Sequence, residues 1–205
     1  MQLGFDLGAD PLPKVEPAFS GAQAFSMAIS DWMGPQKGAA KLFAHPIETH
    51  VGTLVAICDA THLHLLEFAD RKELPKEMAK LGALIGTIAP GQTRITRDLQ
   101  EQLSAYFDGT LENFNIPMTL HGTDFTKTVW RALLELPFGK TTSYGDLSIT
   151  LGNPTATRAI ARANGANQIA IVIPCHRVIG ADGSLTGYAG GLWRKRALLE
   201  LEGVF

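Results

Sequence analysis

The stretch Ile169-Ala-Ile-Val-Ile-Pro-Cys-His-Arg-Val178 decides how the C-terminal part of the chain is interpreted. Its first five residues form an apolar run that predicts a buried strand. Pro174 closes that strand, because proline cannot donate to a central ladder. Cys175 is then expected where the strand ends. Neighbouring residues of an extended strand face opposite ways, so Cys175 and His176 do not touch unless the backbone turns after Pro174.

A thiol beside an imidazole is a candidate nucleophile with its base. Only the thiolate is a nucleophile, and a neighbouring imidazole can lower the thiol pKa. A water molecule bridging Cys175 and His176 is the simplest geometry for this pair. An isolated Cys-His pair is more often a buried structural thiol beside a surface histidine. The chemical interpretation therefore depends on the surrounding motifs.

Two short helices are predicted before the apolar run. Ser143-Tyr-Gly-Asp146 is typical of a capping box, and its helix runs to about Leu151. Gly152-Asn-Pro154 then combines a helix-ending glycine with an Asn N-cap and a proline at the first position of the next helix. Ala156, Ala159, Ile160 and Ala163 give that helix a face of mostly small residues. Two short helices joined so tightly are a candidate helix-turn-helix.

The N-terminal half is predicted to be a small α+β domain. The β-rich runs 51–58 and 62–68 are separated by three residues and predict a hairpin, in which alternating residues of the second run leave one face wet. Helices are expected near 71–84 and, from apolar residues every fourth position, near 95–107.

These patterns divide the chain into three parts. Residues 1–45 contain four prolines and predict an irregular lead-in with one short helix near 23–32. Residues 46–120 form the N-terminal domain. Residues 121–205 form a mainly helical domain that ends in a helix over 192–201.

Composition excludes several classes of protein. The chain has 205 residues, 45% hydrophobic and 19% charged, which is incompatible with disorder, collagen or a coiled coil. Its two cysteines, Cys58 and Cys175, allow neither a disulfide scaffold nor a multi-cysteine zinc site, and they suit a reducing cytoplasm. No apolar run reaches the length of a membrane span.

Charge is distributed unevenly along the chain. Residues 1–123 carry 9 Lys/Arg against 14 Asp/Glu (net −5), whereas residues 124–205 carry 9 against 6 (net +3). This asymmetry is compatible with an anion-binding C-terminal half, although the whole chain is not basic enough to bind nucleic acid by charge alone.

Several motifs at fixed spacing together resemble the bacterial type of O6-alkylguanine-DNA alkyltransferase (methylated-DNA–protein-cysteine methyltransferase). They are Ile171-Val-Ile-Pro-Cys-His-Arg-Val-Ile179, Asp182-Gly-Ser-Leu-Thr-Gly-Tyr-Ala-Gly-Gly-Leu192, Ser143-Tyr144, and Gly152-Asn-Pro154 with Arg158. The resemblance covers about 123–203, with a weaker match from residue 47. Residues 1–45 have no clear match, and the resemblance implies that they are a degenerate regulatory remnant.

The resemblance implies an α+β protein with two domains. The N-terminal domain would contain a ribonuclease-H-like sheet, and the C-terminal domain a helix-turn-helix and an active-site strand or turn. The second helix of the motif would enter the minor groove of double-stranded DNA containing alkylated guanine. A monomer in the bacterial cytoplasm is expected, with no cofactor and no metal.

The resemblance also implies a reaction, the direct reversal of DNA damage. The damaged guanine would be flipped out of the duplex, and its O6-methyl group would pass irreversibly to Cys175. His176, through a water, would deprotonate the thiol, and Glu202 would orient the imidazole. O4-methylthymine is a further candidate substrate. Each molecule would act once.

Four further positions match residues that the family uses to bind DNA or to shape its site, and a fifth, Ala189, departs from the family. Tyr144 would crowd the target phosphate and donate a proton to the leaving guanine, and Arg158 would fill the vacated position in the duplex. Asn167 would brace the helices against the active-site segment. Tyr188 would lie beside the flipped base, next to Ala189, where some relatives have a serine that contacts O6.

Each residue also has an ordinary structural interpretation. Tyr144 could merely begin a helix, Arg158 could be a solvated charge, and Asn167 could form an Asx turn. Glu202 at a helix end opposes the helix dipole and therefore needs a compensating partner.

Three other functions compete with repair. A damage-recognition module is disfavoured because Cys175 is present, where such relatives usually have tryptophan. A transcription regulator would need a second DNA-reading module. A cysteine hydrolase would need a distant histidine and an oxyanion hole.

Overall fold

The computed structural model describes residues 15–205, in which helices and short strands form a mixed α+β structure. In chain order the elements are α1 (Ala22–Met33), β1 (Leu42–Ile47), β2 (Leu54–Cys58), β3 (Leu63–Phe68), α2 (Leu74–Ile85), β4 (Ile88–Pro90), α3 (Arg94–Phe107), α4 (Asp124–Leu134), β5 (Thr142–Ser143), α5 (Tyr144–Thr150), α6 (Thr157–Gly165), a 3-10 helix (Cys175–Arg177), β6 (Val178–Ile179) and α7 (Leu192–Leu201).

The N-terminal half is built around a four-stranded sheet in the order β3-β2-β1-β4. β2 and β3 pair antiparallel, which confirms the predicted hairpin, and β1 pairs antiparallel with β2 and parallel with β4. The helices expected near 71–84 and 95–107 are α2 and α3. The α3 helix begins at a capping box in which Thr93 and Thr96 exchange hydrogen bonds.

The expected wet face of β3 is wrong, because every residue of that strand is buried. One face of the sheet packs on α1 and α2, and the other packs on α3 and the C-terminal half. The edge of β3 is also covered. Leu63 exchanges backbone hydrogen bonds with Pro117 and Thr119, and Leu66 does so with Gln168 and Ala170. Covering an edge strand in this way satisfies its backbone groups without solvent.

The lead-in contains more regular structure than its prolines and glycines predict. The short helix expected near 23–32 is α1, whose Phe25 and Ile29 are buried against the sheet. The sheet itself begins at Leu42, four residues before the boundary placed at residue 46. Residues 1–14 of the lead-in lie outside the described residues.

The C-terminal half contains the helices that its motifs predict. The Ser143 side chain accepts a hydrogen bond from the Asp146 backbone N–H at the start of α5, and α7 spans 192–201 as expected. Trp130 of α4 is buried and donates its indole N–H to the Ala163 carbonyl of α6 at 2.9 Å. Within residues 15–205, no helix is long and apolar enough to span a membrane.

The predicted strand over 169–173 is wrong, because this buried segment is a tight turn. The Ile173 N–H bonds the Ile169 carbonyl at 3.0 Å, and Val172 N–H bonds Ala170 carbonyl at 2.8 Å. Ile171 lies at φ 69°, a left-handed conformation that β-branched residues rarely adopt. Apolar residues without polar neighbours indicate burial, but they do not distinguish a strand from a buried turn.

We predict that Leu99→Ala lowers the free energy of unfolding by about 2–5 kcal/mol, because Leu99 of α3 is fully buried and its truncation leaves a cavity. The matched change Leu84→Ala, at a residue of α2 that is 67% exposed, should alter it by about 0.5 kcal/mol or less. Urea unfolding followed by circular dichroism measures both. Equal losses in the two variants would contradict this placement of the core.

Candidate active site

Cys175 lies in a narrow cleft between the active-site turn and the loop that precedes α7. The cleft leaves about 10 Å³ of space for a water-sized molecule and is lined by Glu67, Asn164, Gly165, Asn167, Ala170, Cys175, Gly187, Tyr188, Ala189 and Gly190. Three of the predicted site residues besides the cysteine therefore share one cavity with it. The thiol itself is largely shielded, since Cys175 is only 6% exposed.

The backbone turns at the cysteine instead of continuing as a strand. Cys175, His176 and Arg177 form a 3-10 helix that starts after Pro174. Burial raises the pKa of the Cys175 thiol to about 11, while a hydrogen bond from Asn167 acts in the opposite direction. The sequence-based expectation that the imidazole lowers this pKa is therefore not met in the free protein, and the thiol is protonated at neutral pH.

The Asn167 side chain holds the active-site turn closed. Its Oδ1 accepts from the Ile169 N–H at 3.0 Å, and its Nδ2 donates to the Ile173 carbonyl at 2.9 Å. The same Nδ2 lies 3.1 Å from Cys175 Sγ. One side-chain amide thus connects both ends of the turn to the sulfur. An ordinary Asx turn, the alternative from the sequence, would bond only the nearby backbone.

His176, the residue after the cysteine, is in direct contact with Glu202. His176 Nε2 lies 2.9 Å from Glu202 Oε1, and both residues are buried. Burial lowers the pKa of His176, although the hydrogen bond to Glu202 opposes the change, so the ring is neutral at neutral pH. Because the carboxylate accepts a hydrogen bond from Nε2–H, Nδ1 of the neutral ring carries no proton and has a lone pair available. Nδ1 is buried and has no hydrogen-bond partner within residues 15–205.

Two residues that the sequence analysis did not assign complete this site. The Arg177 guanidinium binds Glu202 in a bidentate fashion, Nε to Oε2 and Nη2 to Oε1, both at 2.9 Å. The Tyr106 hydroxyl donates to Glu202 Oε1 at 2.8 Å from α3, 96 residues earlier in the chain. Arg177 stands next to the Cys-His pair and could have been considered. Nothing local marks Tyr106 as a partner of Glu202.

Arg177 supplies the compensating partner that Glu202 needs at the end of α7. Burial alone would raise the pKa of the Glu202 carboxyl, but hydrogen bonds from His176 and Arg177 outweigh it and lower the pKa to about 2. The backbone N–H of Gly139 adds a contact of 3.3 Å. Gly139 lies at φ 69°, and a Cβ there would come within 2.8 Å of the Glu202 carbonyl, so the close approach requires glycine.

The loop that carries Tyr188 and Ala189 is fixed by two cations of α7. Lys195 Nζ donates to the Val178 carbonyl at 2.5 Å and to the Thr186 carbonyl at 2.6 Å. Arg194 donates to the Gly190 carbonyl at 2.9 Å and to the Val51 carbonyl at 2.7 Å, which ties the loop to the N-terminal half. These contacts position the loop over the thiol.

The remaining predicted residues, Tyr144 and Arg158, do not line the cleft that holds Cys175. The Tyr144 hydroxyl lies 3.5 Å from the Gly187 carbonyl, and Tyr144 lines a hollow that shares Gly187, Tyr188 and Ala189 with the cleft. Burial raises the pKa of Tyr144, so its phenol is neutral. Arg158 is exposed on α6 and does not line the cleft.

Comparison with known proteins identifies relatives of the C-terminal half and of the whole fold. Residues 124–204 match the family model for the DNA-binding domain of 6-O-methylguanine DNA methyltransferase. The chain is 51% identical over 131 residues to a methylated-DNA–protein-cysteine methyltransferase of Mycobacterium tuberculosis, covering 61% of this chain and 79% of the relative. It is 45% identical over 141 residues to one of Methanosarcina barkeri, covering 69% and 82%.

A solved structure is similar over most of the fold. The crystal structure of Mycobacterium tuberculosis OGT in complex with DNA matches with a TM-score of 0.66 and 42% identity, covering 78% of this chain and 92% of that one.

We predict that iodoacetamide alkylates Cys175 slowly at pH 7 in the absence of DNA. The rate should rise about tenfold per pH unit up to a pH near 11, because only the thiolate reacts and burial raises the thiol pKa. Peptide mass spectrometry distinguishes Cys175 from Cys58, which is fully buried and whose pKa burial raises to about 12. A rate that levels off at or below pH 8 would contradict the raised pKa.

Proposed function

The chain belongs to the methylated-DNA–protein-cysteine methyltransferase family, and we propose that it repairs alkylated DNA directly, in a single turnover, by transferring an alkyl group from guanine O6 to Cys175. The observation that carries the proposal is the thiol in a narrow cleft, hydrogen-bonded by Asn167 and followed in the chain by a histidine that is paired with the buried Glu202. This is the nucleophile, base and orienting group that covalent transfer requires.

The transfer begins with removal of the thiol proton. His176 is neutral and its Nδ1 carries a free lone pair, so it accepts the Cys175 proton through a water molecule, a relay that general-base catalysis allows. Glu202 remains ionised and stabilises the imidazolium that forms. Asn167 stabilises the thiolate through its N–H···S hydrogen bond.

The thiolate then displaces guanine from the alkyl carbon. A C–S bond forms while the C–O6 bond breaks, and the electron pair of that bond leaves with the guanine. The Tyr144 phenol donates a proton to the departing base and is later reprotonated from solvent as His176 gives up its own. Overall, the thiol proton replaces the alkyl group on guanine. The thioether is stable, so the protein is consumed.

Tyr188 and Ala189 form the wall against which the flipped base would lie. Both line the cleft with Cys175, and the buried Tyr188 hydroxyl has no hydrogen-bond partner within residues 15–205. A purine edge offers ring nitrogens to such a donor. Ala189 has no side-chain donor, so recognition of O6 at this position would rely on the backbone.

The α5 and α6 helices are proposed to act as a helix-turn-helix on double-stranded DNA. They meet through the tight turn 151–156, and Arg158 and Arg162 of α6 are both exposed. Entry of α6 into the minor groove, where base identity is poorly encoded, suits a protein that must find damage in any sequence. The net charge of +3 over residues 124–205 supports binding to phosphates by this half.

The N-terminal sheet supports the proposed ribonuclease-H-like architecture. Its β3-β2-β1 antiparallel core continues into the parallel strand β4, with α1 and α2 on one face. Division into an N-terminal domain and a catalytic domain from about residue 121 is part of the same proposal. So is action as a monomer, since the proposed site is built within one chain.

We predict that mixing the protein with a duplex containing one O6-methylguanine adds a single methyl group to the Cys175 peptide and restores guanine. Intact and peptide mass spectrometry measure the adduct, and digestion of the DNA measures the base. Cys175→Ser is the matched control and should gain no methyl group, since Cys58 is fully buried outside the cleft.

Absence of the methyl group from the wild-type protein would point to a different function. Unmodified wild-type protein that still binds the damaged duplex more tightly than the normal one would contradict the transfer and indicate a damage-recognition module.

We predict that Arg158→Ala weakens binding to duplex DNA by about 1–2 kcal/mol, because it removes the residue proposed to enter the duplex. Reaction with the free base O6-methylguanine, which needs no extrusion from a helix, should be unchanged. Arg94→Ala, which removes an exposed arginine from α3, is the charge-matched control. Titrations by fluorescence anisotropy measure the affinities. Equal losses in the two variants would contradict the proposed role of Arg158.

A further inference from the structure

Glu67 is a buried acid beside the thiol that the proposed reaction does not use. It belongs to β3, is 1% exposed, and lines the same cleft as Cys175. Its Oε1 accepts from the Phe68 N–H at 3.0 Å, and its Oε2 is held by Arg71. Neither the hairpin pattern nor the motifs around Cys175 indicate that this residue reaches the site.

The fold brings Glu67 to the cleft through the edge of β3. The Leu66 backbone N–H bonds the Gln168 carbonyl at 2.8 Å, and the Leu66 carbonyl accepts from the Ala170 N–H at 2.7 Å. The active-site turn is therefore hydrogen-bonded to the strand one residue before the acid. Glu67 and Ala170 consequently become neighbouring parts of the cleft wall.

The carboxyl of Glu67 has acceptor capacity that the protein leaves unused. Each carboxylate oxygen can accept about two hydrogen bonds. Within residues 15–205, Phe68 and Arg71 are the hydrogen-bond donors to this group. Burial raises the pKa of Glu67 to about 7, against the opposing effect of Arg71. In either protonation state, the group can accept a hydrogen bond from a ligand in the cleft.

The alkyl group must lie next to this wall during transfer. Displacement at carbon aligns the sulfur, the carbon and the departing O6, with the reacting atoms about 3–3.5 Å apart beforehand. Any further atoms of the alkyl group then project sideways from that line. The residues that line the cleft together with Cys175 include Glu67, Ala170 and Tyr188, so these side chains are the ones that such atoms would contact.

We propose that Glu67 is a specificity-determining residue for the alkyl group, favouring chains that carry a hydrogen-bond donor, such as 2-hydroxyethyl, over apolar chains of equal length. This inference rests on the proposed function. A hydroxyl can bond the free acceptor sites of the carboxyl. A propyl group would remove water from them without replacing its hydrogen bonds, which is unfavourable.

A competition experiment tests this preference. Limiting protein is mixed with equal amounts of duplex containing O6-(2-hydroxyethyl)guanine and duplex containing O6-propylguanine. The ratio of the two adducts on Cys175 is then read by mass spectrometry. Because each molecule reacts once, the ratio is independent of the folded fraction. The intrinsic reactivities of the two substrates also cancel when variants are compared with the wild type.

Glu67→Leu is expected to lower the hydroxyethyl-to-propyl ratio about tenfold relative to wild type, because the net contribution of one hydrogen bond corresponds to about that factor. Glu67→Gln keeps a side-chain acceptor of the same length and should lower it less. This conservative variant also gives a result if Glu67→Leu fails to fold, since Arg71 retains its ion pair with Glu77.

Glu77→Gln is the matched control. Glu77 also pairs with Arg71 but does not line the cleft, so the ratio should stay within twofold of wild type. Ratios within twofold of wild type in both Glu67 variants would overturn the inference, as would an equal shift in Glu77→Gln.

A separate reaction with duplex containing O6-methylguanine distinguishes failure of the inference from failure of the proposed function. Methyl transfer by every variant with an unchanged ratio overturns only the role of Glu67. No methyl transfer by the wild type overturns the proposed function and the inference with it.

Discussion

The buried carboxylate of Glu202 is the constraint on which the arrangement of the site depends. A charge removed from water must be paired and hydrogen-bonded, and loss of one partner of such a pair typically costs about 3–5 kcal/mol. Glu202 meets this requirement by collecting Tyr106 from α3, the backbone of Gly139 after α4, and His176 and Arg177 from the 3-10 helix. The tautomer of the histidine thus depends on contacts between both halves of the chain.

A second constraint is the strained turn that precedes the cysteine. A non-glycine residue in the left-handed region costs on the order of 1–3 kcal/mol, and Ile171 adopts that conformation in the buried turn. The Asn167 amide and the edge of β3 hold the turn from opposite sides. This turn directs the thiol into the cleft, where an extended strand would have carried it past.

The parts of the fold that could be predicted from sequence are those with local signals. Apolar residues at every fourth position predict α3, and the capping box at Ser143 predicts the start of α5. The three-residue connection between two β-rich runs predicts the hairpin. The apolar run 169–173 predicts a strand where the structure has a turn, because burial of these residues is the same in either structure.

The candidate site divides in the same way. Cys175 and His176 belong to a motif that marks them, and Asn167 lies only eight residues before the cysteine. Tyr106 and Glu67 reach the site only because α3 and the edge of β3 pack against the C-terminal half, and no spacing in the sequence records that packing. Packing on both faces of the sheet likewise explains why the wet face that alternation in β3 predicts is absent.

The raised pKa of the buried thiol also affects how long an unreacted protein molecule keeps Cys175 free to accept an alkyl group. Soluble methylating agents that damage DNA can react with exposed protein thiolates as well. A sulfur that is protonated and enclosed is a poor target for them, whereas a substrate seated in the cleft brings its carbon directly to the sulfur. Each molecule reacts only once. The burial that slows the reaction of the free thiol therefore keeps unreacted molecules available for damaged DNA.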